Sequence, residues 1–175
     1  MKFVIIFFFS STFYGQCIEM IDPVTQKVTK VYYESMNMPY NSALEVLNEC
    51  NQRIDENPQD WQAYYQRAIS QQRLSNYKAS IEDTDLLIEN EKMLNLAYWN
   101  QGQSYIYLLD YTKAIEVYKK AVNYYNDPYT KARINFFIGL CYIKIDNEEQ
   151  GCIYFEKMGK YRLHSGFEQV EKYCQ

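Results

Sequence analysis

The chain repeats itself. Ala68, Gly102 and Gly139 are small residues separated by 34 and 37 positions, and Ser80, Ala114 and Gly151 reproduce both intervals. Leu87, Ala121 and Met158 do the same; Tyr77 and Tyr111 lie 34 apart, Tyr105 and Tyr142 lie 37 apart. Self-similarity at such a period marks a stacked-repeat architecture, in which each unit buries its apolar face against its neighbours. The extra three residues of the longer interval fall near Asn126–Lys131, at a junction between units where an insertion is tolerated.

Within each unit the apolar pattern has the period of a helix. Tyr98, Gly102, Tyr105 and Leu109 make one stripe, Asp110-Tyr111 makes a turn, and Ala114, Val117, Tyr118 and Ala121 make the stripe of a second helix. A small residue where two helices cross lets their axes approach to about 8–10 Å. With only 6 Gly and 4 Pro, little material remains for a turn-rich sandwich or barrel. The pattern predicts helices near 43–56, 60–74, 77–90, 94–109, 111–125, 129–144, 148–160 and 166–174. Ser42-Ala-Leu-Glu45 and Ser165-Gly-Phe-Glu168 read as capping boxes, and Asp127-Pro128 as an N-cap followed by proline at the first helical position. Residues 16–39 read as an N-terminal arm or a partial first helix, and 161–175 as a helix capping the open end of the stack.

At these residues the chain resembles the tetratricopeptide repeat family. The unit Tyr98, Gly102, Tyr105, Tyr111, Ala114, Tyr118, Ala121 carries the likeness best. Tyr64, Ala68, Tyr77 and Ser80 carry it less fully, and Gly139, Tyr142, Gly151 and Phe155 follow with Met158 in place of the usual alanine. The resemblance spans about residues 40–160 and implies an all-α, short right-handed solenoid of antiparallel helix pairs that binds a protein or peptide. In this family a second stripe on each first helix, offset by one residue from the core stripe, lines a concave groove. Here that stripe is Tyr65, Ile69, Gln72 and Arg73 in one unit, then Trp99, Gln103, Ile106 and Tyr107, then Arg133, Phe136, Leu140 and Ile143. Trp99, Tyr65, Tyr107 and Phe136 are the expected anchors. The alternative is that three short repeats curl enough to bury the stripe. Some family members clamp a C-terminal carboxylate with lysine and asparagine; Tyr65, Ile69 and Trp99 occupy those places here, leaving only Asn100 and Arg133 and no such clamp.

The N-terminus reads differently. Lys2, the apolar run Phe3–Phe9 and Ser10-Ser11-Thr12 form a signal for export, with cleavage after Gly15; its loss changes the charge from -4 to -5, since Lys2 is its only charge. The run is too short to span a membrane. The short, Phe-rich signal ending in Gly-Gln resembles those of the Bacteroidetes, and the chain is expected in the periplasm, at the outer membrane or outside the cell. Cys17 sits where a lipid-modified cysteine could sit, although Tyr14-Gly15-Gln16 matches the lipoprotein signal poorly. Export permits disulfides. The midpoint of Cys152 and Cys174 falls inside the turn Tyr161–His164, so an antiparallel hairpin sets these two side by side as a bridge, the alternative being two ordinary thiols. Cys50 and Cys141 read as packing residues.

Several function classes are poorly supported. A negative chain without a basic stripe does not suit nucleic acid; Lys119-Lys120 is its densest basic pair. His164 is the sole histidine, no CxxC pair occurs, and no phosphate-cradling loop or nucleophile elbow is present, so no metal, cofactor or catalytic residue is expected. Glu82-Asp83-Asp85 and Glu148-Glu149 read as solvated helix faces. The expectation is a non-enzymatic binding scaffold, with a self-associating structural subunit of an envelope complex as the alternative and a carboxylate-based enzyme as a distant third.

Overall fold

A computed structural model of the chain describes residues 17–21, 28–32, 40–161 and 170–174. They divide between two units, Met1–Pro39 and Tyr40–Gln175. In the first, β1 (Cys17–Ile21) pairs antiparallel with β2 (Val28–Tyr32), setting Cys17 opposite Tyr32 and Ile21 opposite Val28. Of the two readings of residues 16–39, the partial helix is corrected: the described residues 17–21 and 28–32 are paired strands. Ile18, Ile21, Val28, Thr29, Val31 and Tyr32 are residues that favour strands, in segments too short for the helical period to show. The export signal lies outside the described residues.

The second unit meets the helical expectation. Its elements are α1 (Tyr40–Glu56), α2 (Trp61–Arg73), α3 (Tyr77–Glu89), α4 (Leu94–Tyr107), α5 (Tyr111–Ala121), α6 (Pro128–Lys144) and α7 (Glu148–Glu156). Ser42 lies inside α1, so its capping box is displaced from the helix start, whereas the box at Ser165 falls outside the described residues. Asp127 caps α6 as expected: its carboxylate accepts from the backbone N–H groups of Tyr129 and Thr130, and Pro128 opens the helix. The longer interval is absorbed here, because α6 has 17 residues where α4 has 14. The added residues form its first turn.

Each helix pair closes through the same tight turn. The N–H groups of Asn76, Asp110 and Asn147 return to the carbonyls of Gln71, Tyr105 and Tyr142, and those of Ser75, Leu109 and Asp146 to Gln72, Ile106 and Ile143. This double closure requires a left-handed residue between them. Ser75, Leu109 and Asp146 supply it at φ of 63°, 60° and 56°. Asp110 and Asn147 then cap the next helix by accepting from Lys113 N–H and Gln150 N–H. One short segment thus ends a helix, reverses the chain and starts another.

Contacts across each pair lie equidistant from these turns, as antiparallel helices require. Arg67 meets Asp83, Gly102 meets Tyr118, and Gly139 meets Phe155. A Cβ on Gly102 would stand 2.7 Å from the Tyr118 ring, and one on Gly139 would stand 2.5 Å from Phe155. The rings lie where side chains of the opposing glycines would be. Arg67–Asp83 is the polar counterpart in the first pair. Arg67 Nη2 and Nε donate to the Asp83 carboxylate at 2.6 and 2.9 Å, and Asp83 is 3% exposed. The solvated-face reading of Asp83 is thus corrected, while Glu82 and Asp85 remain exposed. Burial pushes the Asp83 carboxyl up and Arg67 pulls against that shift, so each charge depends on the other for compensation.

At the C-terminal end Cys152 and Cys174 are bonded to each other, with Cα atoms 5.5 Å apart. Residues 170–173 are helical, and Val170 and Cys174 pack on the cluster of Ala132, Phe136, Phe155 and Met158. Cys50 and Cys141 are buried free thiols.

Two measurements check this account. Gly102→Ala should lower the unfolding free energy by about 1–3 kcal/mol in urea titration, because the ring on α5 must shift. Replacing Cys152 and Cys174 together with alanine should cost about 3 kcal/mol, and peptide mapping without reductant should recover the two cysteines linked.

Candidate protein-binding face

The first helices of the three pairs adjoin one another directly. Gln72 of α2 donates to the Asn100 carbonyl and to Ser104 Oγ of α4 at 3.2 and 3.1 Å. Trp99 of α4 meets Phe137 of α6 edge to face at 5.6 Å, and the Arg133 guanidinium of α6 stands 4.9 Å from the Trp99 ring centre. The α2–α4–α6 face is therefore continuous, which brings the three predicted stripes side by side.

The stripe residues divide by environment. Tyr65, Ile69, Arg73, Trp99, Gln103, Ile106, Arg133 and Leu140 are half-buried, and Tyr107 is 57% exposed. Trp99 is wedged against Tyr118 and Phe137 on one side and carries Arg133 on another. A guanidinium over an indole is held by the ring's negative face, and the pairing keeps both planar groups oriented. Tyr107 stacks on Tyr77 of α3 at 4.8 Å. Ile106 packs on the cluster of Ala114, Tyr118 and Ile138, whereas Leu140 packs on the C-terminal one.

Phe136 does not belong to this face. It is 8% exposed and packs against Phe155 and Phe137, with Val170 and Cys174 closing over the same cluster. Its expected role as an anchor is corrected to one in the core. The physical reason is its position in the last pair, where the disulfide-held capping segment covers part of α6.

Tyr125 was not singled out by the sequence pattern. It follows a 3-10 turn (Val122–Tyr124), and its hydroxyl donates to the Asn95 carbonyl at the start of α4, at 3.0 Å. Burial pushes this phenol up to about 12, with Tyr65 adding to the shift and Arg133 opposing it. Tyr125 thus ties the segment between the units to the start of α4. It lies in the irregular segment between units, off every repeating column, so periodicity could not find it. Beneath the face, Tyr118 is wholly buried and its hydroxyl has no hydrogen-bond partner among the described residues.

Other surfaces offer less. A cleft of about 460 Å³ on another side is lined by Lys78, Ile81, Glu82, Tyr105, Leu108, Asp110 and Lys113, where the bond to Asp110 pushes the Lys113 ammonium up and burial pushes the Tyr105 phenol up. Among the described residues no cluster of His, Cys, Asp or Glu could hold a metal ion, and no helix is long and apolar enough to cross a membrane.

With this geometry in hand, comparison with known proteins gives a consistent result. Residues 96–128, which span α4 and α5, match the tetratricopeptide repeat family. The chain is similar in structure to MamA from Desulfovibrio magneticus RS-1, in a form running from residue 41 to its end. The TM-score is 0.63 at 23% identity, over 75% of this chain and 76% of that one. A MamA RS-1 double mutant gives the same values, and a further MamA structure gives a TM-score of 0.57 at 20% identity, over 76% of this chain and 68% of that one. At these identities the likeness establishes the fold. No curated protein matches the chain.

Burial of titrating groups generates a test of its own. Tyr125 and Cys141 are both pushed up to about 12, from 10.0 and 9.0, mainly by burial. Their folded forms therefore stay protonated where the unfolded chain ionises, a contribution fully present below pH 9 and lost as pH rises towards 12. Urea midpoints should fall steadily over that window, and Tyr125→Phe with Cys141→Ala should flatten the decline.

Proposed function

We propose that the chain is an exported protein-binding scaffold whose ligand lies across the α2–α4–α6 face. The observation that carries this reading is the continuous row of half-exposed aromatic and apolar side chains centred on Trp99. Tryptophan, tyrosine and arginine dominate binding hot spots because they bring large contact area with few rotamers to fix. A helical repeat array presents such a row on rigid elements. The reading of a non-enzyme rests on that architecture.

Location is part of the proposal. Lys2 with the apolar run Phe3–Phe9 supports export, the signal's likeness to those of the Bacteroidetes supports a cell envelope of that kind, and a disulfide fits an oxidising compartment. Mass measurement of the mature protein should give an N-terminus at Gln16; an intact Met1 in the secreted or envelope fraction would remove this part of the reading.

Self-association is the second reading, favoured by the exposed edge Tyr107, Leu108 and Leu109 at 57%, 37% and 70% exposure. Light scattering over a concentration series separates the two, since only self-association gives a mass that grows with concentration. For the scaffold reading, affinity capture from envelope extract should recover a partner that Trp99→Ala loses. Because Trp99 also touches Tyr118, Tyr107→Ala provides a second variant at an exposed site, with helicity followed by circular dichroism. Retention of the partner by both variants would place the binding surface elsewhere.

A further inference from the structure

The capping segment repeats a contact made earlier in the array. Arg133 and Phe137 of α6 meet Trp99 of α4. Val170 and Cys174 stand 37 positions after Arg133 and Phe137, and Phe136 stands 37 after Trp99. Val170 and Cys174 pack on the cluster that contains Phe136. Residues 170–174 are thus seated on α6 as α6 is seated on α4, in the place of a further first helix.

The means of attachment differs. Successive first helices meet through large rings, whereas the described part of the capping segment meets the cluster through Val170 and Cys174. Its Glu171 and Lys172 are exposed. What ties it down is the bond from Cys174 to Cys152 of α7. Both cysteines of that bond are half-buried and reach solvent, unlike the enclosed thiols of Cys50 and Cys141. With the bond intact no competitor displaces the segment. With it broken, two modest apolar side chains hold the place, and a helix with larger ones can take it.

We infer that Cys152–Cys174 is a redox clasp over a helix-docking site at the α6–α7 end. Once a dithiol reduces the bond, the cluster of Ala132, Phe136, Phe155 and Met158 takes an amphipathic helix of a partner that presents apolar residues at i and i+4. That spacing is the one Val170 and Cys174 use on this cluster, and Arg133 and Phe137 use it on Trp99. In the reduction, a thiolate of the dithiol attacks one sulfur of the bridge and forms a mixed disulfide, which its second thiol resolves. The Sγ–Sγ bond breaks, Cys152 and Cys174 take up two electrons and two protons, and the dithiol is oxidised to its own disulfide. The inference goes beyond the proposed function and requires no ligand on Trp99.

The test compares the mature chain in three forms: bridged, reduced with dithiothreitol, and carrying Cys152→Ala with Cys174→Ala. In both open forms hydrogen exchange over α6, α7 and residues 170–174 should quicken by about tenfold more than it does over α2 and α3. Uniform quickening would overturn the clasp, because the bridge would then hold the whole array. Unchanged exchange at the C-terminal end would overturn it as well, because packing alone would hold the segment. Docking is read by capture on Cys152. A chain with Cys174→Ala and Val170→Asp leaves that thiol beside a weakened cap, its helicity followed by circular dichroism. In a buffer of reduced and oxidised glutathione it should form a mixed disulfide with a peptide of residues 162–175. The yield should be about tenfold that of the same peptide carrying Val170→Asp. Equal capture of the two peptides would overturn the docking site. Neither readout involves the Trp99 face, so this inference and the proposed function fail separately.

Discussion

The pairs α4–α5 and α6–α7 hang on aromatic rings lying where side chains of the opposing helix would be. Tyr118 occupies the space above Gly102, and Phe155 the space above Gly139, so each of these two pairs is locked by a contact that no larger residue permits. The ring belongs to one helix and the gap to the other, which fixes rotation and height together. Once that register is set, the stripe one residue away on the first helix is fixed as well. Trp99 has a defined direction because Gly102, less than one turn beyond it, is pinned under a ring. The array therefore presents its α2–α4–α6 face as a consequence of how its core closes.

The ends of the array are held by other means. The pair α2–α3 crosses at Arg67 and Asp83, and the junction of α3 with α4 is a small polar network. Ser80 donates to Asn100 Oδ1 at 2.8 Å and Ser104 to Ser80 at 3.2 Å. From α4 onward the crossings are aromatic. A buried polar network gains little net free energy but penalises misalignment, since each unpaired group costs about 1–3 kcal/mol. Aromatic burial gains more and tolerates small shifts. The first pair is thus specified by hydrogen-bond geometry and the later pairs by area. The terminal pair adds a covalent link, which holds Cys174 to α7 while Val170 and Cys174 pack on the last cluster.

Much of this was legible in the residues. Small residues at fixed intervals located the crossings, the helical period located seven helices to within a few residues, and simple symmetry about a turn paired Cys152 with Cys174. What failed did so for identifiable reasons. Asp83 looks like any surface acid until its partner sixteen residues earlier is brought across a turn. Phe136 occupies a groove position by its place in the repeat, yet it lies under the cap that the disulfide holds. Cap and bridge were both foreseen, and combining them would have predicted its burial. The strands β1 and β2 carry their signal in side-chain shape rather than period, and Tyr125 lies in the segment where the repeat is interrupted.

The half-open side chains of this face serve two purposes. Trp99, Ile106 and Leu140 serve the core and the surface at once, with one side packed and the other half-open. Residues in that position lose little conformational freedom on binding, because packing has already ordered them. The same dual use ties affinity to stability: loosening the core beneath Trp99 disorders the surface above it. Arg133 is fixed in the same way, laid over an indole that is itself wedged between Tyr118 and Phe137. The orientation of that guanidinium follows from the ring packing beneath it, so the surface a repeat array presents is set by the same packing that gives it a fold.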